Sequence, residues 1–221
     1  MPAPSLPRTP NYNKHCSRNS GRPLRKVSPH LPGKACIVTR WQLQQAARAI
    51  HQGGIVAYPT EAVFGLGCDP LNAEAVQRLL ALKQRPMEKG LILIAAELDQ
   101  LLPYIAPLSP AAEAQVATTW PGPHTWLLPA RTDTPRWLRG EHDTIAVRVT
   151  AHPLAAALCR AAGQAIVSTS ANRAGQRPAT TALQVRRQFD GQVDFLLHGS
   201  LGGEARPTPI RDLSSGRKIR P

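Results

Sequence analysis

Lys83 and Arg85 stand two residues apart in the run Leu82-Lys83-Gln84-Arg85-Pro86, and Glu88-Lys89-Gly90 follows before an apolar stretch. A basic pair at a helix end ordinarily complements the helix dipole. Pro86 adds a second reading, because it takes the chain out of the helix directly after Arg85. The loop can then turn both cations toward one point, where a polyphosphate would be held. A second segment, Ser168-Thr169-Ser170-Ala171-Asn172, sets three hydroxyls and an amide in five residues, with Gly175 close behind. Such a bend offers several neutral hydrogen bonds to a phosphate or carboxylate. An ordinary Ser/Asn turn capping the next helix fits the same residues equally well. A third segment, Pro59–Asp69, leaves the apolar run Ile55–Tyr58. The pattern G-x-x-x-x-G-K-[ST] is absent, and neither Leu66-Gly67 nor Gly199–Gly203 forms a G-x-G-x-x-G after a strand. Phosphate binding here is therefore not of the P-loop or dinucleotide-fold kind.

Other candidates are weaker. No general base stands out: Glu61 and Asp69 lie in the first loop, and Asp69 reads as a solvated turn residue. Glu141-His142-Asp143 reads as an exposed polar loop, since adjacent residues seldom point at one ion, and no histidine has metal-site spacing. No metal site is predicted. His124 reads as structural or solvent-facing, and Trp120 and Trp126 as core.

These segments need elements to position them. Thr39 is a plausible N-cap for a helix whose inner face holds Trp41, Leu43, Ala46, Ala47 and Ile50, ended by Gly53-Gly54. A strand over Ile55–Tyr58 and a helix over 73–82, with Val76, Leu79, Leu80 and Leu82 inward, follow. Then come a strand over Leu91–Ala95 and helices near Glu97–Leu102 and Pro110–Thr118. Strands over Trp126–Pro129 and Ile145–Val149, a helix over Pro153–Ala161, a strand over Ala165–Ser168 and a helix over Ala182–Phe189 continue the alternation. Strands over Asp194–Leu197 and Pro209–Leu213 close it. Short, continuously apolar strands alternating with helices predict an α/β sheet covered on both faces, with ligands in the crevice beyond the strand ends.

Composition sets further bounds. The chain of 221 residues carries +13, of which seven Lys/Arg and no carboxylate fall in residues 1–37. The remaining 20 basic and 14 acidic residues leave +6 on the rest, a balance suited to polyanions such as nucleic acid or nucleotide phosphates. Residues 1–36 lack apolar periodicity and read as a disordered basic tail. A start assigned too far upstream and a transit peptide are the other readings; Pro2, Pro4, Pro7 and Pro10 argue against an amphipathic helix there. Residues 37–221 make one domain. The longest apolar run, Leu91–Ala96, is far short of a membrane span. Cys16, Cys36, Cys68 and Cys159 lie far apart, which fits a reducing, cytoplasmic setting.

Taken together, Tyr58–Gly67, Leu82–Pro86, Trp120–Thr125, Ala146–Val149 and Ser168–Asn172 occur in an order that closely resembles the YrdC/TsaC family, over residue 38 to the C-terminus. The resemblance is to its short, single-domain bacterial form. It implies a twisted mixed β-sheet with helices on both faces and a concave basic cavity. It also implies a threonylcarbamoyl-AMP synthase activity, in which L-threonine, bicarbonate and ATP give threonylcarbamoyl-AMP and pyrophosphate. The product would go to a tRNA-modifying threonylcarbamoyl transferase complex, with Mg2+ arriving on the nucleotide. By the same resemblance Lys83 and Arg85 are catalytic, and with Ser168, Ser170, Asn172 and Arg211 they bind ATP and the adenylate. Thr60, Thr125 and Arg148 bind threonine. Departures touch the threonine contacts. Arg173-Ala174-Gly175 replaces an ending in which serine precedes glycine, Lys89-Gly90-Leu91 stands where Asn-Pro-Leu is common, and a histidine of some relatives has no counterpart. Two rival readings are a non-enzymatic double-stranded RNA or tRNA-binding module and a carbamoyl-AMP chemistry. Weak tRNA binding is compatible with the enzyme as well.

Overall fold

Regular structure begins where a capping box can form. Thr39 accepts from the Gln42 backbone N–H at 3.3 Å, and the Gln42 side chain accepts from the Thr39 N–H at 2.9 Å, which starts α1 (Arg40–His51). The structure, a computed structural model, describes Met1, residues 39–204 and residues 208–220. Apart from Met1, the expected disordered tail, residues 1–36, lies outside the described residues. The chain divides into units Met1–Lys34 and Ala35–Pro221, and the second is described here. Ala46, Ala47 and Ile50 of α1 are buried, but Trp41 is 63% exposed, contrary to its expected inner position. The helical repeat explains the correction, since Trp41 stands about 160° around the axis from Leu43.

Eight of the expected elements appear with small changes of boundary: α2 (Ala73–Lys83), β3 (Ile92–Ala95), α3 (Pro110–Ala117), β4 (Thr125–Pro129), β5 (Thr144–Val149), α5 (Pro153–Ala162), α6 (Ala182–Phe189) and β7 (Phe195–Leu196). β1 (Val56–Pro59) is one residue shifted, and the short α4 (Arg136–Arg139) was not expected. Four expectations are corrected. β2 (Phe64–Gly67) is a strand where a loop was expected, paired antiparallel with β1. The helix expected over Glu97–Leu102 is only a 3-10 turn, Leu98–Gln100, stopped short by Pro103. β6 (Ile166–Ser170) runs through the hydroxyl-rich segment, so Ser168, Thr169 and Ser170 are strand residues. β8 (Ile210–Asp212) is not the last strand, because β9 (Lys218–Arg220) pairs back on it.

Among the described residues the strands form one mixed sheet in the order β7-β1-β2-β6-β3-β5-β4-β8-β9. Alternation of side chains across it separates two cores. Val56, Tyr58, Ile94 and Ile166 pack with Ala46, Ile50, Ala155 and Leu158 of α1 and α5. Their neighbours Ala57, Leu93, Ala95 and Val167 pack with Val76 and Leu79 of α2 and Val185 of α6. The sheet is thus covered on both faces, as expected. The glycines of β2 admit the Tyr58 ring: a Cβ on Gly67 would stand 2.4 Å from the Val167 carbonyl oxygen and 3.0 Å from that ring.

Candidate active site

The end of α2 decides where its two cations go. Gln84 adopts φ 53°, and the Arg85 N–H reaches back to the Leu80 carbonyl at 3.0 Å, a Schellman-type close with glutamine in the position glycine favours. The reversal sends Lys83 and Arg85 to different partners. Lys83 is buried. Its ammonium donates to the Ser170 and Asn172 carbonyls, the latter at 2.9 Å, and to Asn172 Oδ1 at 3.3 Å. Burial, and then the charge on Arg85, push its pKa down to about 8. Half-buried Arg85 donates from Nη2 to the Gly90 carbonyl at 2.8 Å and to that of Lys89 at 3.4 Å. Its pKa is likewise lowered by burial.

The exit of β6 is organised around the Asn172 amide. Its Oδ1 accepts from Ser170 Oγ at 2.6 Å as well as from Lys83, and its Nδ2 donates to the Arg173 and Gln176 carbonyls at 2.9 and 3.0 Å. The amide is committed to shaping the bend, and Lys83 fastens α2 to it.

A cavity of about 410 Å³ lies on the sheet face that α1 and α5 cover elsewhere, and a second hollow of about 290 Å³ shares Arg85, Lys89, Thr169 and Ser170 with it. Its floor uses one parity of strand residues: Ile92 stands opposite Ala146 and Ser168, and Leu127 opposite Ala146. Arg85, Lys89, Arg139, Arg148 and Arg220 line the larger cavity, and no Asp or Glu does so among the described residues. Arg220 donates to the Thr208 carbonyl from Nη2 at 2.8 Å. Although Arg220 is exposed, partial desolvation lowers its pKa first, followed by the charges of Arg148 and Arg85, so the three guanidiniums share one field.

Behind the wall lies a buried polar group. Arg148 Nη1 donates to Thr208 Oγ1 at 2.7 Å, and its Nη2 stands 3.5 Å from Glu61 Oε2. Glu61 Oε1 accepts from Thr150 Oγ1 at 2.6 Å. Arg148 Nε, Glu61 Oε2 and Thr125 Oγ1 have no hydrogen-bond partner among the described residues. Buried polar atoms left in that state are rare and call for an occupant, a water or a ligand group.

The sequence-predicted residues divide among these places. Thr60, Arg85, Arg148, Ser168 and Ser170 line the larger cavity; Lys83 and Asn172, with Arg85 and Ser170, line the smaller. Thr125 and Arg211 line neither. Thr125 is fully buried in β4, and Arg211 sits in β8 opposite Trp126 and Lys218. Sequence reasoning missed Lys89, Arg139 and Arg220 as cavity cations, and left Glu61 without a place. Lys89 carried a local signal, being the next cation after Arg85. Arg220 carried none, since only the β8–β9 pairing turns it inward. Trp126 is core, as expected. Glu141, His142 and Asp143 are exposed, although His142 also borders the cavity. No group of three or more His, Cys, Asp or Glu suited to a metal occurs among the described residues.

A family model described as "Telomere recombination", for Sua5, YciO and YrdC, matches residues 48–221. The chain belongs to the Sua5/YciO/YrdC family. Within that family it is 57% identical over 180 residues to a protein of Nitrosococcus oceani named threonylcarbamoyl-AMP synthase, covering 81% of this chain and 97% of that protein. It is 59% identical over 180 residues to one of Halorhodospira halophila with the same name, covering 81% and 94%. The solved Sua5 of P. abyssi complexed with L-threonine superposes with a TM-score of 0.75 at 34% identity, covering 80% of this chain. This chain spans about half of that protein, 52% of its length.

Proposed function

We propose that this chain forms threonylcarbamoyl-AMP from L-threonine, bicarbonate and ATP, with release of pyrophosphate. It is an enzyme of the nucleotidyltransferase type. The observation that carries the reading is the cavity wall, with five cationic side chains and no carboxylate among the described residues, in a chain 57% identical to a named threonylcarbamoyl-AMP synthase. A wall of that sign suits a triphosphate. The comparisons support the enzyme and lend nothing to a non-enzymatic RNA-binding module.

In this reading the neutral threonine amine captures bicarbonate, with loss of water, to give an N-carboxylate. One oxygen of that group attacks the α-phosphorus as the bond to pyrophosphate breaks. Charge grows on the phosphoryl oxygens and the leaving group, where Arg85 and Lys89 stabilise it. Lys83 adds its charge from beneath the β6 exit and keeps Ser170 and Asn172 in place. Ser168 and Ser170 supply hydroxyls. Thr60 and Arg148 receive the amino acid, Arg148 taking its carboxylate. Thr125 and Arg211, which do not line the cavity, act through their neighbours. No donor set for a resident metal is present among the described residues, and Mg2+ enters as the counter-ion of the ATP phosphates. The product passes to a threonylcarbamoyl transferase complex acting on tRNA in the cytoplasm, and the basic surface lends weak affinity for tRNA.

The test is pyrophosphate release from ATP by the full chain. Release that requires both L-threonine and bicarbonate is expected. Release independent of threonine, or supported equally by carbamoyl phosphate, overturns the reading.

A further inference from the structure

We infer that Glu61 is a positioning residue for Arg148, holding its guanidinium in the cavity wall to receive the carboxylate of the amino-acid substrate. The inference rests on the function proposed above and assigns a role to a residue outside the cavity lining. Glu61 and Arg148 are each 5% exposed, yet only Arg148 reaches the cavity. An arginine buried to that degree stays in place only when its charge is compensated, and Glu61 is the carboxylate that forms an ion pair with it.

The geometry favours orientation over a closed pair. Charge-assisted N–H···O bonds run at about 2.7–2.9 Å, whereas Nη2 and Oε2 are 3.5 Å apart. Glu61 Oε2 and Arg148 Nε remain without a hydrogen bond among the described residues. Of the five N–H donors on a guanidinium, one is occupied among the described residues, by Thr208 Oγ1. Glu61 thus supplies charge and direction while leaving the fork of donors available for a planar anion. The carboxylate is itself fixed. Thr150 Oγ1 donates to Oε1 at 2.6 Å and accepts from the His152 backbone N–H at 3.2 Å. His152 Nδ1 accepts from the Ala155 N–H at 3.3 Å, and Nε2 then carries the proton toward the Ser200 carbonyl at 3.0 Å. A further segment closes over the glutamate, with the Gly202 N–H on the Thr60 carbonyl and the Glu204 N–H on the Glu61 carbonyl, at 3.1 and 3.0 Å. A Cβ on Gly202 would stand 2.9 Å from Glu61 Cα. The first loop, the β5–α5 turn, residues 200–204 and Thr208 therefore converge on the Glu61–Arg148 pair.

The experiment measures threonine- and ATP-dependence of pyrophosphate release separately, with thermal melts, for the full native chain, Glu61→Gln, Glu61→Asp, Thr208→Val, Arg148→Lys and Glu61→Gln/Arg148→Lys. By analogy with partners that orient metal ligands, Glu61→Gln raises the threonine KM about 10–100-fold, with the ATP KM little changed. Glu61→Asp recovers part of the loss. Thr208→Val, which frees the other side of Arg148, moves the threonine KM in the same direction and stands in for Glu61→Gln should that variant not fold. In the Arg148→Lys background, Glu61→Gln adds nothing further to the threonine KM. A lowered melting temperature with native threonine KM in Glu61→Gln, or full additivity in the double variant, overturns the inference while the native activity stands. Absence of threonine-dependent turnover in the native chain overturns the functional reading and this inference with it.

Discussion

Lys83 and Arg85 spend their hydrogen bonds on neutral amide oxygens, whereas Arg148 stands beside a buried carboxylate. The Ser170, Asn172, Lys89 and Gly90 carbonyls solvate the first two cations without cancelling their charge. Their positive field therefore reaches the hollow, while burial, and then the charge on Arg85, depress the pKa of Lys83. Glu61 offsets the charge of Arg148 in place, so this side of the cavity contributes directed donors more than field. One wall has the electrostatics for phosphoryl chemistry, and the other has the geometry for recognising a carboxylate.

The contrast breaks most sharply at Arg148. Arg148→Ala strands the Glu61 carboxylate in the interior, and removing one partner of a buried pair costs about 3–5 kcal/mol. Urea unfolding is expected to show that loss, with much of it recovered when Glu61→Gln is added; a native-like midpoint in the single variant would show that Glu61 needs no compensation. Next in size is Arg85→Ala. By analogy with loss of an oxyanion donor it slows pyrophosphate release about 10²–10³-fold, while the melt stays near native because, among the described residues, the Arg85 side chain bonds only its own loop. A stability loss matching that of Arg148→Ala would erase the distinction between the two walls.

A smaller effect comes from pH. With Lys83 at about 8 in the folded protein against an ordinary 10.5, the folded chain gives up this proton first. Between those values the unfolded chain binds more protons, so this residue's contribution to stability rises with pH. Activity moves the other way, as kcat/KM for ATP falls from about pH 8 upward while the ammonium is lost. Lys83→Arg keeps its charge, and an unchanged alkaline fall in that variant would clear Lys83 of causing it. The smallest effect expected is Gln84→Gly. Relieving a left-handed glutamine at φ 53° stabilises by about 1 kcal/mol at most, read as a small rise in melting temperature.

Much of this was legible in the chain. Thr39 before an apolar face and the apolar spacing Val76–Leu79–Leu80 are local signals, and their helices formed as expected. The paired cations and the hydroxyl-rich segment were legible for the same reason, each being chemistry concentrated within a few residues. β2 was not, because Phe64-Gly65-Leu66-Gly67 reads as a glycine-rich loop until the Tyr58 ring is laid across it.

Residue types and their local periodicity alone determined most helices, most strands and two of the groups that face the cavity. Tertiary structure decided the rest. It buried Glu61 beside Arg148, turned Arg220 of the last strand toward the cavity, and left Thr125 and Arg211 out of the cavity lining. Those outcomes depend on sheet register, which joins residues 61, 85, 148, 168, 208 and 220 across long stretches of chain. Burial and charge compensation belong to such distant neighbours, and no short window of sequence contains them.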